Sequence, residues 1–121
     1  MADNFVKDNK CFKPYSAPVI TGNNAYYEEV SGLTATLSSL IGDAESGITI
    51  YEMNGTSTTN GYPVSIPVST QSTDMAIMTI IKNTAAMVLF EYDSDLYYCH
   101  YYTDTQGEHL GGWKKVTVTS V

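Results

Sequence analysis

A mainly β fold is what this sequence predicts: a small antiparallel meander or sandwich of five to six strands, preceded by an extended leader and a short amphipathic helix. Three observations predict it. From Gly47 onward, short β-branched or apolar runs are separated by Asn-Gly, Gly-Gly and Asp-Ser-Asp turn chemistry. The chain carries ten Tyr together with frequent Thr and Ser, residues that suit pleated, half-buried surfaces. The strand candidates follow one another without intervening helical periods, as hairpins do and βαβ units do not.

Residues 1–30 show no sustained period. Pro14 and Pro18 flank Tyr15-Ser16-Ala17, and Thr21-Gly22-Asn23-Asn24 is a turn signal, so this stretch reads as an extended leader with room for a short strand at 17–21. The helical segment is placed at 31–46. Leu33, Leu37, Leu40 and Ile41 recur at the spacing of one helical face, Ser31 can cap the start, and Gly42 or Gly47 can end it. A helix this short is not stable alone in water. Its apolar stripe therefore packs either on the β module or against copies of itself, which makes Leu33, Leu37, Leu40 and Ile41 candidate oligomerisation residues.

The β module spans 47–121. Residues 48–53 form its first strand, and Asn54 to Gly61 form a polar loop. Pro63 and Pro67 confine 62–69 to an edge or a covering loop, because proline cannot donate to a ladder. Residues 75–82 and 86–92 are apolar strands joined tightly enough for a hairpin, with Asp93-Ser94-Asp95 as the next turn. In 96–103 the period-2 alternation puts Leu96, Tyr98, His100 and Tyr102 on one face and Tyr97, Cys99 and Tyr101 on the other. Residues 104–112 form a polar loop, and 113–119 a closing strand.

Charge narrows the partners. A net charge of −7, with Lys114-Lys115 as the only adjacent basic pair, argues against nucleic acid. No stretch approaches the ~20 apolar residues of a membrane span. Met1-Ala2-Asp3-Asn4-Phe5 lacks the basic and apolar regions of a secretion signal, which predicts synthesis in a cytoplasm without a signal peptide.

The residues offer little for catalysis, and the chain is expected not to be an enzyme. Cys11 and Cys99 have no metal or CxxC spacing and read as free thiols. Cys99 and His100 are adjacent, but strand neighbours point to opposite faces and cannot act as nucleophile and base. Asp104, Glu108, His100 and His109 form a weak metal pattern, and oxygen-rich loops are usually just solvated, so no metal or other cofactor is expected. Asp93/Asp95 and Glu28/Glu29 would serve as a glycosidase pair only beside a cleft that nothing in the sequence predicts. Gly107, Gly111 and Gly112 precede a strand, not the helix of a phosphate-binding loop.

The order of features from Gly47 to Val116 resembles the small tail-fibre tip modules, often called knob domains, of bacteriophages and related contractile particles. The matching elements are Gly47-Ile48-Thr49-Ile50-Tyr51, Asn60-Gly61-Tyr62-Pro63, Ala76-Ile77-Met78-Thr79-Ile80-Ile81, Leu96-Tyr97-Tyr98-Cys99-His100-Tyr101-Tyr102 and Gly112-Trp113-Lys114-Lys115-Val116. Where that group often carries an Arg or a second Trp before the closing Trp, this chain reads His109-Leu110-Gly111-Gly112. The resemblance implies a virion protein that binds a cell-surface glycan or protein as a homotrimer, gaining avidity from several sites at once. Aromatic rings that stack on sugars make Tyr97, His100, Tyr101, Tyr102 and Trp113 the candidate ligand-binding residues. Two other functions compete with it: a structural decoration or assembly protein whose leader 1–30 docks on a virion scaffold, and a small hydrolase.

Overall fold

The computed structural model describes residues 27–121. The strand expected at 17–21, Cys11 and most of the leader lie outside the described residues. The chain runs β1 (Tyr27–Gly32), α1 (Leu37–Asp43), β2 (Gly47–Thr56), β3 (Ala76–Lys82), β4 (Ala86–Tyr92), β5 (Asp95–Asp104), β6 (Gly107–Leu110) and β7 (Lys114–Val116). All seven strands belong to one sheet in the order β1-β2-β3-β4-β5-β6, with β7 pairing β5 beside β6. From β2 to β6 each strand pairs antiparallel with the next, which is the mainly β meander expected from the sequence.

The N-terminal part departs from that expectation. Tyr27–Gly32 is not leader but an edge strand, and it pairs parallel with β2 through the crossover that α1 provides. The sheet is thus mixed, with one βαβ unit in front of the meander. Gly32 is what lets β1 close: a Cβ there would stand 2.8 Å from the Gly55 carbonyl oxygen and 2.9 Å from Tyr62 Cε2. Residues 62–69 form no regular strand; they cover the sheet and are tied to β2 by an isolated bridge between Thr56 and Ile66, by Thr56 Oγ1 donating to Val64 O and by Ser69 N–H donating to Asn54 Oδ1.

The helix is shorter than 31–46, and Ser31 does not cap it. Ser31 instead closes a turn, its Oγ accepting from Leu33 N–H and its carbonyl from Ala35 N–H. Thr36 is the N-cap, with Oγ1 accepting from Ser39 N–H at 3.2 Å. At the other end, Lys82 Nζ donates to the carbonyls of Ile41 and Ala44, both at 2.8 Å. These carbonyls lack helical partners and carry the negative end of the helix dipole, so a strand lysine there ties α1 to β3.

One face of the sheet holds the core. Tyr51, Met53, Ala76, Met78, Ile80, Ala86, Val88, Phe90, Cys99 and Tyr101 alternate inward from β2 to β5. Leu37, Leu40 and Ile41 of α1, with Tyr62 and Ile66, close over them. Phe90 lies among aromatics, with ring centroids 6.3 Å from Tyr62, 6.3 Å from Tyr97 and 6.0 Å from Trp113. The Tyr62 hydroxyl donates to Ala35 O at 2.7 Å, so the loop that covers the core also holds the approach to α1. Asp93 and Ser94, with φ of 53° and 70°, form the two-residue turn between β4 and β5; positive φ at both positions matches the right-handed twist of a hairpin.

Candidate functional site

The sheet register sorts the sequence-predicted ligand residues into two groups. Tyr97, Tyr101 and Trp113 lie on the core side. Tyr97 pairs with Phe90 and packs edge-on to it, Tyr101 is buried opposite Ala86, and Trp113 rests its ring on Phe90. The Trp113 indole N–H donates to Gly61 O at 2.7 Å, which joins the chain's closing segment to the Gly61-Tyr62-Pro63 loop. Tyr97 and Tyr101 are placed on the core side because the odd-numbered positions of β5 face the core, and Trp113 by its contact with Phe90 and its bond to Gly61. His100 and Tyr102 lie on the opposite face and are exposed.

The helix residues expected at a seam between subunits divide in the same way. Leu37, Leu40 and Ile41 are buried in the chain's own core. Leu33 sits in the turn before α1, 46% exposed, with its side chain beside Gly55. The helical spacing of the last three is real, but the face they make is used inside the subunit.

The face opposite the core carries a second set of side chains, which the register aligns in rows across the strands. One row is Ile48, Ile81, Met87 and His100; the next is Tyr27, Ile50, Thr79, Leu89, Tyr98 and Lys114; the third is Glu29, Glu52, Ile77, Glu91, Leu96 and Val116. Among the described residues no helix or loop packs over them; α1 and the buried loop residues Tyr62 and Ile66 all belong to the core side. Ile48 and Ile81 are 44% and 38% exposed. Burial, followed by the neighbouring Glu52 carboxylate, raises the Tyr27 pKa.

At one corner this face runs out onto a hairpin. Ala86, the first residue of β4, pairs with Tyr101, so β5 extends beyond β4 and continues with β6 as its partner. On that overhang Tyr102 and His109 are a cross-strand pair with stacked rings, centroids 4.7 Å apart and planes 16° from parallel. The His109 Nε2 lies 3.0 Å from Asp104 Oδ1, which fixes the imidazole plane. Tyr98 and His100 stand edge to face behind them, with centroids 6.0 Å apart. The result is a strip of four rings, His100 and Tyr102 exposed and Tyr98 and His109 half-buried, with a carboxylate at its tip.

Chemistry-bearing groups elsewhere are spread apart. Cys99 is a buried free thiol whose pKa burial pushes up to about 12, and His100 points away from it. Of the weak metal set, only His109 and Asp104 meet. Glu108 lies on the other face, beside Tyr101, whose pKa is raised by burial and then by the Glu108 carboxylate. Among the described residues, no group of three His, Cys, Asp or Glu is placed to hold a metal ion. Asp95 is held by Lys115 at 3.4 Å, and Glu29 by the Asn54 amide at 2.9 Å. Among the described residues no helix is long and apolar enough to cross a membrane.

Tyr98 and His109 are additions to the residues expected from sequence at this surface. Tyr98 was legible from the alternation in β5, which already placed it beside His100 and Tyr102. His109 had no such signal, because its position depends on a four-residue polar strand, Gly-Glu-His-Leu, without alternation. Compared with protein-family models, curated proteins and solved structures, the chain matches none of them.

Proposed function

We propose that this chain is a non-catalytic recognition module of a bacteriophage or related contractile particle, and that it binds a cell-surface saccharide through the Tyr102–His109 corner. The observation that carries the reading is the stacked Tyr102–His109 pair on an overhanging hairpin. Two large rings held parallel in water by cross-strand pairing, with Asp104 orienting one of them, form a rigid platform that costs little entropy to use. Sugar rings present C–H faces to such platforms, and Asp104 with the nearby His100 offers partners for hydroxyls. The core assignments of Tyr97, Tyr101 and Trp113 concentrate this function on Tyr102 and His109, with His100 and Tyr98 beside them. A particle presenting several copies would convert weak single-site affinity into avidity.

Glycan-array screening of the full chain, displayed multivalently on beads, tests this reading. Binding to a defined glycan class is expected, and Tyr102→Ala should weaken it at least tenfold while the folded CD spectrum is kept. A full-chain protein that retains no glycan, or a Tyr102→Ala variant that binds as well as wild type, refutes it.

A further inference from the structure

We infer that the saccharide taken by this corner is uncharged, and that Asp104 selects against sugars carrying an acidic group; the inference rests on the reading of the Tyr102–His109 pair as a sugar platform. Tyr102 and Asp104 are two residues apart on β5 and so share one face of the hairpin. The register sets His109 opposite Tyr102 and Gly107 opposite Asp104. Gly107, at a φ of 111°, has no side chain to lay over the carboxylate, and a Cβ there would meet nothing within 4 Å. The hairpin tip is therefore open beside Asp104, next to the stacked rings.

Asp104 spends one oxygen inside the chain. Its Oδ1 accepts from the Gln106 N–H at 2.8 Å and lies 3.0 Å from His109 Nε2, which fixes the carboxylate. Among the described residues no hydrogen bond engages Oδ2, and the side chain is 47% exposed. A held carboxylate oxygen accepts from hydroxyls, and such charged bonds are about twice as strong as neutral ones. Every neutral sugar brings hydroxyl donors to it. A uronic or sialic acid brings a carboxylate, which cannot donate and is repelled.

No lysine of the described residues offsets that repulsion. Lys82 is bound to the helix carbonyls, and Lys115 stands 3.4 Å from Asp95. Lys114 pairs with Tyr98, four residues along β5 from Tyr102. Four residues of strand span roughly 13 Å, beyond the ~8 Å screening length at physiological salt. An acidic group on the stacked sugar lies within a ring's breadth of Asp104, inside that length. His109 turns Nε2 to Asp104, so any charge it takes up is met within the chain.

The test presents matched glycan pairs to the full chain on beads: each neutral glycan beside its counterpart with the C6 hydroxymethyl oxidised to a carboxylate. It is run at pH 8, above the ordinary histidine range, so that His100 adds no positive charge. Neutral members should bind at least tenfold more tightly. Raising salt from 50 to 500 mM should narrow the gap by strengthening the acidic members, because salt screens only the charge. Asp104→Asn keeps an oxygen for the Gln106 N–H and removes the charge. It should weaken the neutral members at least fivefold and cut the preference below threefold. Glu108→Gln, on the other face, should leave the preference unchanged. Tyr102-dependent binding that takes acidic members as well as neutral ones overturns the inference and leaves the platform standing. So does a preference that ignores salt, survives Asp104→Asn, or is lost equally in Glu108→Gln. The salt comparison uses the unaltered chain and decides the matter if Asp104→Asn does not fold. A chain that retains neither kind of glycan overturns both readings.

Discussion

At the scale of single residues, Trp113 is the instructive case. As the lone tryptophan beside a polar loop it invites a ligand-binding role, but its ring closes the aromatic cluster on Phe90 and its N–H satisfies Gly61 O. Replacing it with Phe preserves an aromatic edge contact and removes the donor, leaving the Gly61 carbonyl to find another. Trp113→Phe should therefore cost about 1–2 kcal/mol of stability, combining the lost hydrogen bond with reduced burial. Urea unfolding of the two proteins measures it. A change below about 0.3 kcal/mol would show that the closing segment does not hold the 61–63 loop. Tyr102→Ala, by contrast, removes a side chain 47% exposed and should hardly shift the unfolding midpoint. The two aromatics thus differ in how much the fold depends on each.

At the scale of elements, α1 depends on groups outside itself. Seven residues cannot sustain a helix in water, so its stability comes from Leu37, Leu40 and Ile41 in the core and from its caps. Lys82→Met keeps the aliphatic stem and removes the ammonium from the Ile41, Gly42 and Ala44 carbonyls. We expect a loss of about 1–2 kcal/mol, with amide exchange at the end of α1, read by hydrogen–deuterium exchange, accelerated more than that of the β3–β4 amides, which speed up only by the loss of global stability. Equal acceleration throughout the sheet would contradict a local cap. The same elements show what was legible in the sequence. The core strands β2 to β5 were, since alternation or continuous apolarity survives wherever at least one face is buried. The helix start was misplaced because Leu33 continues the spacing of Leu37, and only the tertiary closeness of Gly32 to Gly55 and Tyr62 shows that the chain is still turning there. β1 was hidden because an edge strand reading Tyr-Glu-Glu-Val-Ser-Gly buries little of itself and has no apolar period. The site was half legible: alternation in β5 separated the faces, but which face was core depended on where α1 lands, and no local pattern carries that.

At the scale of the whole molecule, one consequence of burying so many ionisable aromatic and thiol groups appears at high pH. Cys99 is 1% exposed, and burial lifts its thiol from 9.0 to about 12. Tyr62 and Tyr51 are raised as well, first by burial and then by neighbouring groups: the Tyr51 hydroxyl for Tyr62, and Glu28 and Asp43 for Tyr51. In each case the folded chain holds its proton at a pH where the unfolded chain has released it. The unfolded state then binds fewer protons, so stability falls as pH rises. This contribution is fully present below pH 9, begins to erode as the unfolded thiol ionises, and erodes more steeply above the ordinary tyrosine value of 10.0. A single such group has a limiting slope of about 1.4 kcal/mol per pH unit. Urea midpoints measured from pH 8 to 11 should therefore drop progressively, with the bend near 9 assigned to Cys99. Cys99→Ala supplies the control: it will lower stability at pH 8 by opening a small cavity, but between pH 9 and 10 its curve should be flatter than wild type. If both curves fell in parallel across that interval, the thiol would not be the titrating group, and the buried face of β5 would have to be wetter than its packing against Val88 and α1 allows.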